Sequence, residues 1–280
     1  MRFVKGHGTE NDFVILPDPD GSLELTPEMV ARLCDRRAGI GADGVLRVVR
    51  AKAAGVPGVA DTDAEWFMDY RNADGSVAEM CGNGVRVFAR YLVEAGLAAP
   101  GEWDLATRAG LRRVVLGATG DVRVDMGAPR HLGAGEASVG GETFTGERVS
   151  MGNPHLACRV DAPVAALDLT RAPDFDPAVF PEGVNVEFFR QVGDRHLEMR
   201  VYERGSGETR SCGTGTVAAA VAAAVGETGG APSRGEWTVD VPGGRLTVLL
   251  DGETSHLCGP AVLVADGELR PEWLVSASDG

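Results

Sequence analysis

Two cysteines in this chain stand in the same local setting. Cys81 lies in EMCGNGVRVFARYLVEAGL and Cys212 in RSCGTGTVAAAVAAAV; each is followed by Gly, one further residue and a second Gly, and then by a helical run. A helix start leaves backbone N–H groups without intrahelical partners and carries the positive end of the macrodipole, so a thiol placed there is expected to ionise more readily than a free one. Paired thiols of this kind admit two chemistries. One is redox exchange. The other is proton transfer at a carbon, in which a thiolate removes a proton from one face and a thiol returns one to the opposite face, inverting the centre. The helix-start amides then acquire a second task, because they can hold a carboxylate that takes on charge as its α-carbon is deprotonated. A lone cysteine beside a turn is more simply a small buried hydrophobe. The repetition argues against that reading.

The repeat extends upstream. Cys81 and Cys212 are 131 residues apart in a chain of 280, and nine residues before them stand Asn72 and Glu203, each in a turn-rich segment after a strand-like run. An internal duplication giving two half-chains of like topology accounts for this. In the first copy Val85, Phe88, Ala89, Leu92 and Val93 share one helical face; in the second, Thr214 to Val225 has no charge and no Pro and reads as a buried helix. A separate helix is predicted over TPEMVARLCDRR, with Thr26 as N-cap, Pro27 at the first helical position and Glu28 in the first turn. Hairpins are predicted in RRVVLGATGDVRVDM across Gly117–Gly120, in VNVEFFRQVGDRHLEMRVYER across Gly193 and Asp194, and in TVDVPGGRLTVLL. The stretch 53–65 reads as a flexible excursion without assigned function. The expected fold is α+β: two pseudo-symmetric halves, each a mostly antiparallel sheet wrapped around a central helix, with an active-site cleft between them. The first half spans 1–122 and carries Cys81, the second spans 123–264 and carries Cys212, and 265–280 is expected to return to the first half.

Composition narrows the partners. A net charge of −14 argues against nucleic acid or an anionic membrane, and no segment approaches a membrane span or a signal peptide, so a cytoplasmic protein with a small-molecule substrate is expected. A homodimer is left open. The five cysteines, Cys34, Cys81, Cys158, Cys212 and Cys258, form neither a disulfide framework nor a zinc pattern. The only lysines are Lys5 and Lys52, neither in a phosphate-binding context, which speaks against a pyridoxal Schiff base. No cofactor and no metal are expected.

KGHGTENDFV, NADGSVAEMCGNGVR, SMGNPH, GVNVEFF and YERGSGETRSCGTGT resemble, in that order, the motifs of the diaminopimelate epimerases, and the resemblance covers nearly the whole chain. It implies a cofactor-independent isomerase that interconverts LL- and meso-diaminopimelate on the route to lysine and peptidoglycan precursors. It further implies that Cys81 and Cys212 are the acid/base pair and that Gly82, Asn83, Gly213 and Thr214 supply helix-start donors to the reacting carboxylate. Asn11, Asn72, Asn153, Asn185, Glu203 and Arg204 then bind the substrate, chiefly its distal amino acid end, with His155 in a supporting position near the cysteines. Many members carry glutamine where Gly44 stands here, so one substrate contact is expected to be missing or replaced by water.

Each of these residues has a plainer reading. Asn72 and Asn153 could make turns, Glu203 and Arg204 a solvated pair, and His155 a satisfied structural histidine. Cys34, Cys158 and Cys258 lack the Gly-flanked helix start and read as packing residues. Proline racemases and hydroxyproline epimerases share the paired thiols but typically carry histidine after the first Cys-Gly, where this chain has Asn83. A thiol redox protein and a non-catalytic isomerase-like relative are the remaining alternatives.

Overall fold

The computed structural model describes residues 1–275. The chain divides into two units, Met1–Val124 together with the residues from Pro260 onward, and Asp125–Gly259. The first unit holds β1 (Arg2–Gly8), β2 (Asn11–Pro17), α1 (Pro27–Cys34), β3 (Gly44–Arg50), β4 (Trp66–Asn72), α2 (Gly82–Glu94), β5 (Gly101–Thr107), β6 (Gly110–Leu116) and the start of β7 (Val122–Gly127). The second holds β8 (Arg130–Val139), β9 (Glu142–Ser150), β10 (Pro154–Arg159), β11 (Asp174–Phe175), β12 (Asn185–Gly193), β13 (His196–Glu203), β14 (Gly207–Thr209), α3 (Gly213–Thr228), β15 (Gly235–Val241), β16 (Gly244–Leu250) and β17 (Ser255–Gly259). After it come β18 (Val262–Glu268) and α4 (Pro271–Val275), which belong to the first unit.

The duplication is visible in the strand order. In the first unit the neighbours run β18-β1-β2-β3-β4-β5-β6-β7, antiparallel except for β2–β3 and β4–β5. In the second they run β8-β9-β10-β12-β13-β15-β16-β17, antiparallel except for β10–β12 and β13–β15. The parallel joints therefore fall at the same two places. Such joints need a crossover connection, and at three of the four a helix supplies it: α1 between β2 and β3, α2 between β4 and β5, α3 between β13 and β15; between β10 and β12 the chain passes through a short 3₁₀ turn (Val164–Ala166) and β11.

Helix α2 packs against β1, β2, β3, β4, β6 and β18, and α3 against β9, β10, β12, β13, β15, β16 and β17. Each sheet thus wraps its helix, and the one-faced reading of α2 is corrected: every residue from Gly82 to Leu92 is buried, Arg86 completely. The Arg86 guanidinium is buried with partners, donating to Asn83 Oδ1 (2.9 Å), Thr9 Oγ1 (3.2 Å) and the Pro260 carbonyl (3.4 Å). The Ala-rich run of α3 presents little side-chain bulk on any side, which suits a helix enclosed by strands, and Gly229 ends it in the left-handed region (φ 69°).

Thr26 caps α1 by accepting from Met29 N (3.2 Å), but the helix stops at Cys34, short of Arg37. Asp35 is the reason: its carboxylate accepts from the amides of Arg37 (2.7 Å) and Ala38 (2.6 Å), a local turn that competes with further helix. The three hairpins form, with one shift. Gly193 pairs with His196, so the β12–β13 turn is Asp194-Arg195, with Arg195 at φ 46°. Residues 53–65 are not a loose excursion, since Val59 and Ala64 are buried in an apolar cluster with Val49, Phe67 and Ala106. The β1–β2 turn bears directly on function. Gly8 pairs with Asn11, leaving Thr9 and Glu10 as a two-residue turn with φ 50° and 61°, a conformation that usually calls for Asn-Gly. Hydrogen bonds from Arg86 to Thr9 Oγ1 and from Glu10 N to His7 Nδ1 (3.2 Å) hold it in place, and Asn11 is the residue it delivers.

Candidate active site

In both units the cysteine is the N-cap of the central helix. Cys81 (φ −142°, ψ 119°) and Cys212 (φ −122°, ψ 117°) have extended backbones, and each sulfur accepts a hydrogen bond from the third amide of its helix, Gly84 N or Gly215 N, at 3.4 Å. The residue between each cysteine and its second glycine serves the cap. Thr214 Oγ1 lies 3.5 Å from Cys212 Sγ, and Asn83 Nδ2 donates to Asn11 Oδ1 (3.2 Å), the same oxygen that the Cys81 thiol approaches at 3.6 Å. Gly82 and Gly213 open the first turns.

Asn11 is oriented from its other end. Its Nδ2 donates to Asp43 Oδ2 (2.8 Å), so its carbonyl oxygen must face Cys81 and Asn83. Asp43 belongs to a charged cluster. Arg36 bridges Asp43 (2.7 Å) and Asp12 (2.8 Å), and Lys5 pairs with Asp12 at 2.6 Å. Burial pushes the Asp43 carboxyl up; burial acts the same way on Asp12, but Arg36 and Lys5 outweigh it and hold that carboxyl below the usual range. The structure thus places Asn11 beside a thiol. Asn72 ends β4, and its Nδ2 donates to Ser76 Oγ (3.0 Å) across the following turn.

The Gly44 position is filled from elsewhere. A Cβ at residue 44 would lie 2.5 Å from the Arg71 carbonyl and 2.7 Å from Cε2 of Tyr70, whose ring stacks edge-on to Phe13 at 5.9 Å. Any side chain here would meet the Arg71 carbonyl and the Tyr70 ring, so glutamine would not fit without displacing them.

In the second unit Glu203 ends β13, as Asn72 ends β4, and the small turn that follows closes onto the strand in the same register: Arg71 bridges to Val77, and Tyr202 to Glu208. Burial raises the Glu203 carboxyl, opposed by hydrogen bonds from the Thr209 hydroxyl and the Cys212 thiol. Asn185 is buried and engaged with backbone on both sides, donating to the Pro154 carbonyl (2.9 Å) and accepting from Arg204 N (3.0 Å). It brackets Asn153 and Arg204. The Arg204 side chain is exposed and donates to the Glu182 carbonyl (3.3 Å).

His155 is completely buried, with Nδ1 2.7 Å from Glu187 Oε1 and Nε2 3.0 Å from Asn153 Oδ1. Sequence reasoning missed Glu187. The available signal was a carboxylate inside the run VNVEFF, a strand whose residues from Asn185 to Phe189 are buried on both faces. One further expectation is corrected here. The Cys212 thiol is pushed well above its ordinary value, first by burial and then by the Glu203 and Glu187 carboxylates, which together overcome the Thr214 hydroxyl and the Gly215 amide. Cys212 rests as a thiol. Burial likewise raises Cys34 to about 11 and Cys158 to about 12, in keeping with inert packing roles. Among the described residues no group of three or more His, Cys, Asp or Glu side chains is arranged to hold a metal ion.

The family profile described as diaminopimelate epimerase matches residues 3–132 and 148–267. The chain belongs to the diaminopimelate epimerase family. It is 61% identical over 274 residues to a diaminopimelate epimerase of Thermobifida fusca, covering 96% of this chain and 98% of the relative, and 55% identical over 288 residues to one of Mycolicibacterium smegmatis, covering 98% of each. The fold extends beyond the family. A hydroxyproline epimerase from Agrobacterium vitis superimposes with a TM-score of 0.69 at 15% identity, covering 95% of this chain and 91% of that one. A phenazine biosynthesis protein of the PhzF family from Bacillus anthracis does so with a TM-score of 0.69 at 18% identity, covering 96% and 99%. This breadth fits the two matched units: the sheet-and-helix scaffold extends beyond the family.

Proposed function

We propose that the chain interconverts LL- and meso-diaminopimelate by proton transfer between two thiols and one α-carbon, without a cofactor, in the supply of lysine and peptidoglycan precursors in the cytoplasm. The observation that carries this reading is the pair of cysteine-capped helix starts in a chain that matches the diaminopimelate epimerases along nearly its whole length. No helix among the described residues is long and apolar enough to cross a membrane, and the substrate is a small molecule.

Cys212, held as a thiol by burial and two carboxylates, is the resting acid, and Cys81 is then the base toward the L centre. The amides at Gly82, Asn83, Gly213 and Thr214 hold the reacting carboxylate, whose negative charge grows as the proton leaves; preorganised donors of this kind are worth about 3–4 kcal/mol each. The exposed Arg204 guanidinium takes the distal carboxylate, with Asn72, Asn153, Asn185 and Glu203 ordering the distal amino acid end directly or through Arg204. Incubating the protein with LL-diaminopimelate in deuterated water, without pyridoxal phosphate, is expected to yield the meso isomer carrying one α-deuterium. Meso product without deuterium would exclude proton exchange with thiols. Arg204→Ala is expected to lower kcat/KM by about tenfold or more through loss of a charge-assisted pair. Unchanged efficiency would point to a substrate with no distal carboxylate.

A further inference from the structure

The two units correspond position by position around their helix starts, and at two buried positions they differ in chemical character. Phe13 on β2 pairs across the parallel joint with Gly44, and His155 on β10 pairs with Asn185; two residues along, Ile15 pairs with Leu46 and Ala157 with Glu187. The second glycine of each helix confirms the match: a Cβ on Gly84 would lie 3.3 Å from Leu46 Cδ2, and one on Gly215 would lie 2.5 Å from Glu187 Oε1. The first unit therefore fills these two positions with Phe13 and Leu46, and the second with His155 and Glu187, all four completely buried. The apolar pair shows that the architecture needs no charge here. Buried ionisable pairs seldom stabilise a fold more than apolar residues of similar size, so the second unit carries its pair for another purpose.

Hydrogen-bond accounting shows what that purpose is. Glu187 Oε1 meets His155 Nδ1, His155 Nε2 meets Asn153 Oδ1, and Glu187 Oε2 has no partner among the described residues. Both contacts of the ring are hydrogen bonds only when Glu187 and His155 together hold two protons: one between carboxyl and Nδ1, one on Nε2. With one proton fewer, Nε2 is bare, and the Asn153 amide must turn over to donate to it.

We infer that Glu187 is a positioning residue for the reaction, acting through His155 to set whether Asn153 presents its N–H donors or its carbonyl oxygen to the substrate. In the two-proton state the Nδ2 hydrogens face away from the ring, available to a substrate carboxylate; in the one-proton state an oxygen faces there and repels it. The two-proton state is favoured because the pair is then net neutral, whereas losing a proton leaves a buried negative charge facing Glu203 from β13, the Cys212 thiol from α3 and the Cys158 thiol on β10. This rests on the epimerase reading above, in which Asn153 touches substrate.

Three proteins test it: the natural chain, Glu187→Gln, and the double variant His155→Phe with Glu187→Leu, which imports the first unit's pair. In the natural enzyme KM for diaminopimelate should rise on the alkaline side as the second proton is lost. In Glu187→Gln the amide can donate to Nδ1 and has no proton to lose, so the ring proton stays on Nε2 and KM should remain near the natural value at neutral pH and flat through the alkaline range. The double variant should melt no lower than the natural chain yet show KM raised by about tenfold or more. If the alkaline rise in KM persists in Glu187→Gln, or the double variant turns over substrate with unchanged KM, the inference is overturned. If the natural chain itself exchanges no deuterium into diaminopimelate, the epimerase reading falls, independently of Glu187.

Discussion

Replacing either Cys81 or Cys212 by alanine or by serine is expected to abolish net inversion of diaminopimelate, while the two replacements differ in stability. A positioned acid or base contributes about 10²–10⁴-fold, and here each thiol is proposed to serve as base in one direction and acid in the other, so the loss should be at least about 10³-fold in both. The sulfurs are also helix caps, each accepting from an amide at 3.4 Å. Alanine removes the cap, which costs about 1 kcal/mol and lowers Tm by about 2–4 °C. Serine keeps an acceptor and should melt close to the natural protein. Circular dichroism melts beside a coupled epimerisation assay separate the two effects. An alanine variant that still inverts its substrate would end the two-base mechanism.

Gly215→Ala and Gly84→Ala are expected to part sharply. Residue 215 faces Glu187 Oε1, 2.5 Å from where its Cβ would sit, and that carboxylate is completely buried and held by His155, so it has nowhere to retreat. Overpacking of this kind costs about 1–3 kcal/mol, and it also pushes the first turn of α3 out of line. Residue 84 faces Leu46 Cδ2 at 3.3 Å, the end of a side chain that needs to yield only slightly, and alanine is the better helix former by roughly 1 kcal/mol. The propensity gain is common to the two sites and cancels, so the difference in unfolding free energy should be the overpacking cost, about 1–3 kcal/mol. Denaturant melts of the pair measure it. Equal stabilities would mean that the Glu187 carboxylate is not packed against α3.

The helix starts were legible because a Cys-Gly-x-Gly repeat in matched surroundings leaves few alternatives, and the hairpins because Gly-rich turns between alternating runs are local signals. What stayed hidden was set by packing. Arg86 reads as the polar face of an amphipathic helix, and only a sheet wrapped all the way round turns that face inward. The ionisation of Cys212 was misjudged because the helix start is visible in sequence, whereas the burial and the Glu203 and Glu187 carboxylates that overrule it arrive from separate strands. Asp43 and Glu187, which orient Asn11 and His155, act from one shell further out, where a side chain's partner lies tens of residues away in the chain.

The strand order has a consequence for synthesis. All the strands of the second unit lie between Arg130 and Gly259, but β1 of the first unit finds its outer neighbour only in β18, with Arg2 set against Glu268 and His7 against Val262. Trp273 then returns to α1, where its ring meets the Arg32 guanidinium at 4.4 Å and its indole N–H donates to the Ala38 carbonyl (3.1 Å). In the order of synthesis the first unit's β1 precedes every strand from β8 to β17, and its partner β18 follows them all. The half encoded first is thus the half completed last, and until then the edge of β1 stands unpaired while the second half can already close on its own helix.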